Sequence, residues 1–179
     1  MNNYKSSLIY GFISGVVMIA IIMAIYFVHK VTLAGLFPRV IYVFLIFTMV
    51  WGGITIRRKL GGFSGFRQAF LSVFIISITA TMLFDTFKFV LYKVVDPQLP
   101  MLIQEKKIEY MTEVFEKIGP IDEKADKAIV EAKEEDPTPT LKTLTIGYAE
   151  SVVIGAILSL LIGLFVNRSE MRPEIKAGE

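Results

Sequence analysis

The chain has 179 residues, a formal net charge of +2 and a hydrophobic fraction of 54%, above the about 45–50% usual for soluble domains. Its basic residues are scattered rather than grouped with aromatic residues, which argues against a nucleic-acid partner. It has no cysteine and one histidine, which excludes disulfides and thiolate chemistry and leaves too few ligands for a histidine metal cluster. We therefore expect no cofactor and no metal.

Four apolar segments predict membrane-spanning helices, because each comes near the roughly 20 residues that cross a bilayer core about 30 Å thick. They cover residues 8–28, 40–56, 69–91 and 143–166. The first runs for 21 residues, longer than a signal-peptide core of about 7–15 residues, so we interpret it as a retained span. Residues 1–91 would therefore hold three of the spans.

The second segment is the shortest of the four, with 17 residues between Arg39 and Arg57. A helix of that length extends about 25 Å and barely crosses the bilayer core. We therefore expect both arginine side chains to extend toward the membrane interfaces.

Residues 92–142 form the only sizeable polar region of the sequence. Apolar residues recur there at helical spacing, at Met101, Ile108, Met111, Phe115 and Ile118. After a break at Gly119 and Pro120, a weaker repeat follows at Ile121, Ala125, Ala128, Ile129 and Ala132. This pattern predicts an amphipathic helical hairpin, packed on itself or lying on the membrane surface, with partner binding as an alternative role.

The basic residues near the predicted spans favour one side of the membrane. They are Lys5, Arg57, Arg58, Lys59, Arg67, Arg168, Arg172 and Lys176. Acidic residues outnumber basic ones in residues 92–142. Because basic residues mark cytoplasmic loops, we predict that both termini are cytoplasmic, including the tail 167–179, and that the hairpin is extracytoplasmic.

Two carboxylates lie inside apolar spans, where ionisable residues are energetically unfavourable and often functional. Asp85 follows Arg67 by 18 residues and Glu150 precedes Arg168 by 18, so both are predicted at one depth, about 27 Å from those arginines. Lys88 shares a helix face with Asp85. These three residues are candidates for an interhelical ion-pair cluster, a cation or proton site, or a contact with a lipid head group or substrate.

Small residues form regular rows on two predicted spans. The last span has Gly147, Ser151, Gly155, Ser159 and Gly163 at intervals of four. The first span has Gly11 and Gly15. Such rows let neighbouring helices approach closely, although glycine is also simply common in membrane helices.

Three segments combine glycines with apolar residues: YGFISG near the start, GGFSGFRQAF entering the third span and ESVVIGAILSLLIGLF at the end. In these segments the chain resembles a bacterial family, domain of unknown function 4199, of small four-span inner-membrane proteins. The resemblance covers nearly the whole chain. It implies a location in the bacterial inner membrane, no established activity, and gene neighbourhoods that encode polyprenyl-phosphate glycosyltransferases.

We therefore predict an all-α membrane protein with four transmembrane helices and an extracytoplasmic hairpin between the third and fourth. The sequence has no Ser–His–Asp set and no HExxH motif, so we expect no enzymatic activity. The predicted role is a binding or scaffolding subunit in the lipid bilayer, with a membrane-protein partner or a second copy of the chain. The alternative is a small transporter or a lipid-handling accessory of a polyprenyl-phosphate glycosyltransferase.

Overall fold

A computed structural model describes residues 4–28, 30, 33, 37–62, 65–118, 123–134 and 136–168. Its helices are α1 (Lys5–Val28), α2 (Phe37–Leu60), α3 (Phe66–Val90), α4 (Leu99–Ile118), α5 (Glu123–Glu134) and α6 (Leu141–Arg168). A π-helical turn, Leu91–Val95, continues α3. Every regular element in these ranges is a helix, as predicted.

Four of the helices are long and apolar enough to cross a membrane: Lys5–Val28, Val40–Leu60, Phe66–Val95 and Leu141–Asn167. Their number and order confirm the prediction of four apolar helices expected of a multi-pass membrane protein. The predicted tail is described only as far as Arg168, and the predicted helix break at residues 119–122 lies outside the described residues.

Helix α2 extends beyond the predicted apolar segment, because it continues past Ile56 through three basic residues to Leu60. The helix ends at Gly61, whose φ of 69° is easily reached only by glycine. The Gly62 N–H donates to the Arg57 carbonyl at 3.0 Å, and the Gly61 N–H donates to the Arg58 carbonyl at 3.3 Å. These two bonds form a Schellman cap, so α2 ends at Gly61 and not at Arg57.

Helix α3 lies at the centre of the bundle and contacts α1, α2 and α6. Helix α1 runs parallel to it and α6 antiparallel, as the paired contacts described below show. The core between the helices is apolar, with buried side chains from each spanning helix, including Met18, Ile22, Leu45, Met49, Ile76, Val73, Ile162 and Val166.

The two ends of the bundle differ, and we name them by their residues. The base is the end with Lys5, Leu60 and Arg168, and the hairpin end is the end with Val28, Val95 and Leu141. At the hairpin end, the Asp96 carboxylate accepts hydrogen bonds from the Tyr26 hydroxyl at 3.1 Å and the Lys30 ammonium at 2.6 Å. These bonds join the ends of α1 and α3.

Helices α4 and α5 pack together, and the Gln104 side chain donates to the Ala132 carbonyl at 2.8 Å. Helix α4 is also docked on the bundle, because Leu99 is buried and Leu102 and Ile103 pack against the core. Met101, predicted to belong to the apolar stripe, is 62% exposed. The start of α4 instead docks on the bundle through the face containing Leu99 and Ile103.

The rest of the predicted stripe is only partly described. Ile108, Met111 and Phe115 are half-buried, and Ile129 of α5 is buried. The side chains of Ile118, Ala125 and Ala128, and the whole of Ile121, lie outside the described residues.

Candidate ligand groove

The glycine pair on α1 packs inside the protein, against α3. A Cβ atom placed on Gly11 would lie 2.7 Å from the Thr79 Cβ and 2.8 Å from the Ile76 carbonyl oxygen. One placed on Gly15 would lie 3.1 Å from the Ala80 carbonyl oxygen. The two helix backbones therefore approach as closely as glycine allows, and residue numbers rise together along both helices.

The row of small residues on α6 also packs against α3, and the two helices run antiparallel. A Cβ atom on Gly163 would lie 3.2 Å from the backbone of Phe70, and one on Gly155 would lie 2.8 Å from the Ser77 hydroxyl oxygen. Ser159, between them, is fully buried. These three members of the row form a closely packed, antiparallel helix interface.

The same row opens toward the hairpin end. The Ser151 hydroxyl donates a hydrogen bond of 2.8 Å to the Asp85 carboxylate of α3. One turn further, a Cβ atom on Gly147 would meet no atom within 4 Å. The row therefore changes from close packing at Gly155, through a polar contact at Ser151, to open space at Gly147.

The three candidate polar residues lie close together beside that opening. The Lys88 ammonium lies 3.6 Å from the Asp85 carboxylate, and the two residues form an ion pair on one face of α3. Glu150 is exposed, and among the described residues no ion pair joins it to Lys88. We call Asp85, Lys88, Glu150 and Ser151 the polar cluster.

Three adjoining cavities have Asp85 and Lys88 in their walls. The side groove, of about 80 Å³, lies between α2 and α6 with α3 as its floor. Tyr42 of α2 and Glu150 and Gly147 of α6 also line it. All four members of the polar cluster therefore face this one groove.

The other two cavities extend from the polar cluster in different directions. The core cavity, of about 300 Å³, reaches between α1, α2, α3 and α4 and is lined mainly by apolar side chains, with Tyr92 and Lys107. The cap cavity, of about 230 Å³, lies between α3, the segment Asp136–Pro139 that precedes α6, and the first turns of α6. Together they place apolar walls and charges of both signs around the Asp85–Lys88 pair.

One charge in the cap cavity is held by its own turn. The Asp136 carboxylate accepts a hydrogen bond of 2.9 Å from the Thr138 backbone N–H. Bonds from the Thr138 side chain and backbone lower the pKa of the Asp136 carboxyl from its ordinary value. Asp136 is therefore a carboxylate at neutral pH.

Toward the base the space between α2 and α6 is closed. The Arg57 guanidinium is buried and donates a hydrogen bond of 2.8 Å to the Val166 carbonyl. That carbonyl belongs to the last turn of α6, where helix carbonyls lack partners within the helix. The expectation that Arg57 extends to the interface missed this second role, because nothing in the sequence pairs it with a particular carbonyl.

The arrangement suits binding of a molecule with polar and apolar parts. Within the described residues, no group of three His, Cys, Asp or Glu side chains could hold a metal ion. Sequence analysis missed Tyr42, Tyr92, Lys107 and Asp136 as lining residues. These residues come from four separate parts of the chain, so no single pattern groups them. Only Lys107 could have been placed, because it follows Leu99 and Ile103 at intervals of four on the docked face of α4.

Comparison with known proteins identifies the family. No curated protein and no solved structure matches the chain significantly. A family model described as "Protein of unknown function (DUF4199)" matches residues 9–168, which include the polar cluster, three complete spanning helices and all but the first four residues of α1. The chain therefore belongs to the DUF4199 family, in agreement with the resemblance seen in its glycine-rich segments.

Proposed function

We propose that this protein is a non-enzymatic binding or scaffolding subunit of the bacterial inner membrane, with its ligand or partner held at the polar cluster. The proposal rests on one observation: the same ion pair, Asp85 and Lys88, lines three adjoining cavities. Charged groups inside a membrane bundle are unfavourable unless they are paired, wetted or engaged by a ligand. Asp85 and Lys88 already pair with each other, and the three cavities beside them leave space for a ligand to engage the same charges.

The proposed orientation has both termini in the cytoplasm and the hairpin outside. It rests on the basic residues near the base, including Arg57, Arg58 and Lys59 at the end of α2. Reporter domains fused after Leu60, Asp126 and Glu179 should read cytoplasmic, external and cytoplasmic. A cytoplasmic signal after Asp126 would contradict this orientation.

The binding role can be tested at Gly147, where a new side chain would enter the side groove and the cap cavity without a clash at its Cβ. Wild type, Gly147→Leu and Ile157→Leu would be purified from native membranes in mild detergent. We expect a stoichiometric component with wild type and with Ile157→Leu, whose site faces away from the bundle. The component should be lost from Gly147→Leu, and equal contents in all three preparations would contradict the proposal.

A second candidate is a small transporter or a lipid-handling accessory of a polyprenyl-phosphate glycosyltransferase, the enzyme class that the family resemblance brings in. The side groove favours it, because two of its lining residues, Tyr42 and Ile154, are exposed on spanning helices. The packing at the base argues against transport, because Gly53 lies against Val73 and Val166 and closes the space between the helices there. Transfer of a ligand between vesicles by the purified protein would support this candidate, and retention without transfer would support the first.

A further inference from the structure

We propose that the groove binds a zwitterionic aminophospholipid, with the phosphate at Lys88 and Lys107 and the primary ammonium at the surrounding carboxylates. This inference rests on the proposed binding role and names its ligand class. It depends on three properties of the described residues: access from the side of the bundle, the distribution of charge and the presence of an apolar compartment.

The side groove is accessible from the lipid-facing surface. Tyr42 on one rim is 49% exposed and Ile154 on the other is 40% exposed, and both lie in helices that can span a membrane. Asp85 is 18 residues from Arg67, which places the cluster about 27 Å along α3 and near an interface. A molecule that reaches the cluster along this route is a membrane lipid, because its head group lies at that depth.

Charges of both signs line the cavities, and they are unequally distributed. The core cavity adds Lys107 to the shared pair, whereas the side groove adds Glu150 and the cap cavity adds Asp136. A purely anionic head group would meet three carboxylates, and a purely cationic one would meet two ammonium groups. A head group with one phosphate and one ammonium matches both sets.

The carboxylates also favour a primary ammonium over a quaternary one. Asp85, Asp136 and Glu150 offer hydrogen-bond acceptors, and a primary ammonium has three N–H donors. A trimethylated head group has none, so it would form only the weaker, non-directional charge interaction. Hydrogen bonds between a primary ammonium and these carboxylates are charge-assisted and therefore among the strong ones, so the loss of all of them in a trimethylated head group should be measurable.

The core cavity supplies a compartment for part of an acyl chain. Its volume of about 300 Å³ is at the lower limit of the about 300–1,000 Å³ typical of ligand pockets. Apolar residues from four elements line it, among them Met18, Ile41, Leu45, Phe84 and Ile103. The Asp85–Lys88 pair borders both this cavity and the side groove, so one lipid can place its head group and chain on either side of the pair.

The test measures thermal unfolding of the delipidated full-length protein in detergent with added dioleoyl lipids. Phosphatidylethanolamine should raise the midpoint at about tenfold lower mole fraction than phosphatidylcholine or phosphatidylglycerol, because a ligand stabilises the state it binds. Water-soluble phosphoethanolamine should have no effect at the same concentration. This ranking uses wild type alone and needs no variant to fold.

Two pairs of variants locate the lipid. Lys107→Met should weaken the effect of phosphatidylethanolamine about tenfold. Lys106→Met should not, because Lys106 pairs with Glu109 at 2.5 Å and does not line the core cavity. Asp136→Asn should reduce the preference for phosphatidylethanolamine over phosphatidylcholine, whereas Glu134→Gln, outside the three cavities, should leave it unchanged.

The outcomes separate this inference from the proposed function. Equal or stronger stabilisation by phosphatidylglycerol, still sensitive to Lys107→Met, would overturn the zwitterionic ligand but retain a lipid site. Equal stabilisation by phosphoethanolamine would overturn the requirement for a lipid. Stabilisation that is insensitive to both Lys107→Met and Gly147→Leu would remove the groove as a binding site, and with it the proposed function.

Discussion

The two ends of the α3–α6 interface differ although one row of small residues runs through both. From the middle of α6 toward the base, Gly155 and Gly163 pack tightly on α3. A Cβ atom on either glycine would lie closer to α3 than an ordinary van der Waals contact. At the hairpin end, Gly147 faces open space. A small residue can therefore serve either close packing or the width of a cavity, and the facing helix decides which.

Helix α2 accounts for much of the difference. At the base its Gly53 lies against Val73 and Val166, and its Arg57 binds the Val166 carbonyl. Toward the hairpin end the side groove separates its Tyr42 from Glu150 and Ile154 of α6. The bundle is therefore closed at the base and open on one side at the hairpin end.

Leucine substitutions along the row should have the largest effect and test this comparison directly. Gly155→Leu should lower the free energy of unfolding by about 2–3 kcal/mol, because added bulk must displace Ser77 or separate the helices. Gly147→Leu should lower it by less than about 1 kcal/mol, since its Cβ meets open space. Unfolding in mixed micelles of increasing SDS content measures both values.

The two variants add the same side chain and gain the same helix propensity, so each is the control for the other. Ile157→Leu, at a lipid-facing site of α6, gives the baseline for changes on that helix. Equal destabilisation at Gly155 and Gly147 would show that the row packs uniformly and that the opening is not present in the membrane.

The closure of the base can be weakened at Arg57. Arg57→Met should lower the free energy of unfolding by about 2 kcal/mol, because it removes a charge-assisted hydrogen bond to the Val166 carbonyl in a buried site. Arg58→Met, on the exposed neighbour, is the matched control and should have little effect. Similar losses for both would mean that charge near the base matters more than this contact.

Much of the helical fold could be predicted from the sequence, because apolar runs of span length have few alternatives in a membrane. The limits of α2 could not be read from polarity, since Arg57, Arg58 and Lys59 favour a helix as well as an interface. Gly61, with its positive φ, ends the helix. The exposed position of Met101 also follows from docking, since both faces of α4 carry apolar residues at its start.

The candidate site was less accessible to sequence reasoning. The spacing that puts Asp85 and Glu150 at one depth relies on helix geometry alone, and the structure brings both to the side groove. The row of small residues and the pair of carboxylates were separate patterns, yet Ser151 belongs to the row and binds Asp85. Contacts between distant helices depend on helix rotation, which no single pattern in the sequence specifies.

Coupling within the polar cluster should be smaller than the packing effects and would sharpen the description of the open end. A double-mutant cycle of Asp85→Asn and Ser151→Ala should give a coupling energy of about 1 kcal/mol, since a hydrogen bond of 2.8 Å joins these residues. The cycle of Lys88→Met and Glu150→Gln should give a coupling energy near zero, because Lys88 and Glu150 form no ion pair. A larger coupling for Lys88 and Glu150 would mean that the lysine bridges both carboxylates.

The smallest expected effect is the pH dependence of the tie between α1 and α3 at Asp96. The Lys30 ammonium, which donates to this carboxylate, lowers the pKa of the Asp96 carboxyl from its ordinary value, and the Tyr26 hydroxyl acts in the same direction. Because the unfolded chain then binds a proton more readily than the folded one, the contribution of Asp96 is complete above an unfolded pKa of about 3.9. It is lost as the pH falls through the lowered folded value.

Asp96→Asn should therefore remove part of the acid sensitivity of unfolding below about pH 4, while costing little stability at neutral pH, because the Lys30 side chain is 47% exposed and solvent screens the pair. The comparison uses thermal midpoints of wild type and Asp96→Asn between about pH 3 and pH 7. Glu134→Gln is the control, since Glu134 is an exposed carboxylate at the end of α5 that joins no two spanning helices. Parallel pH curves for wild type and Asp96→Asn would show that this tie does not stabilise the hairpin end, which would leave the packing of α4 on the core as its support.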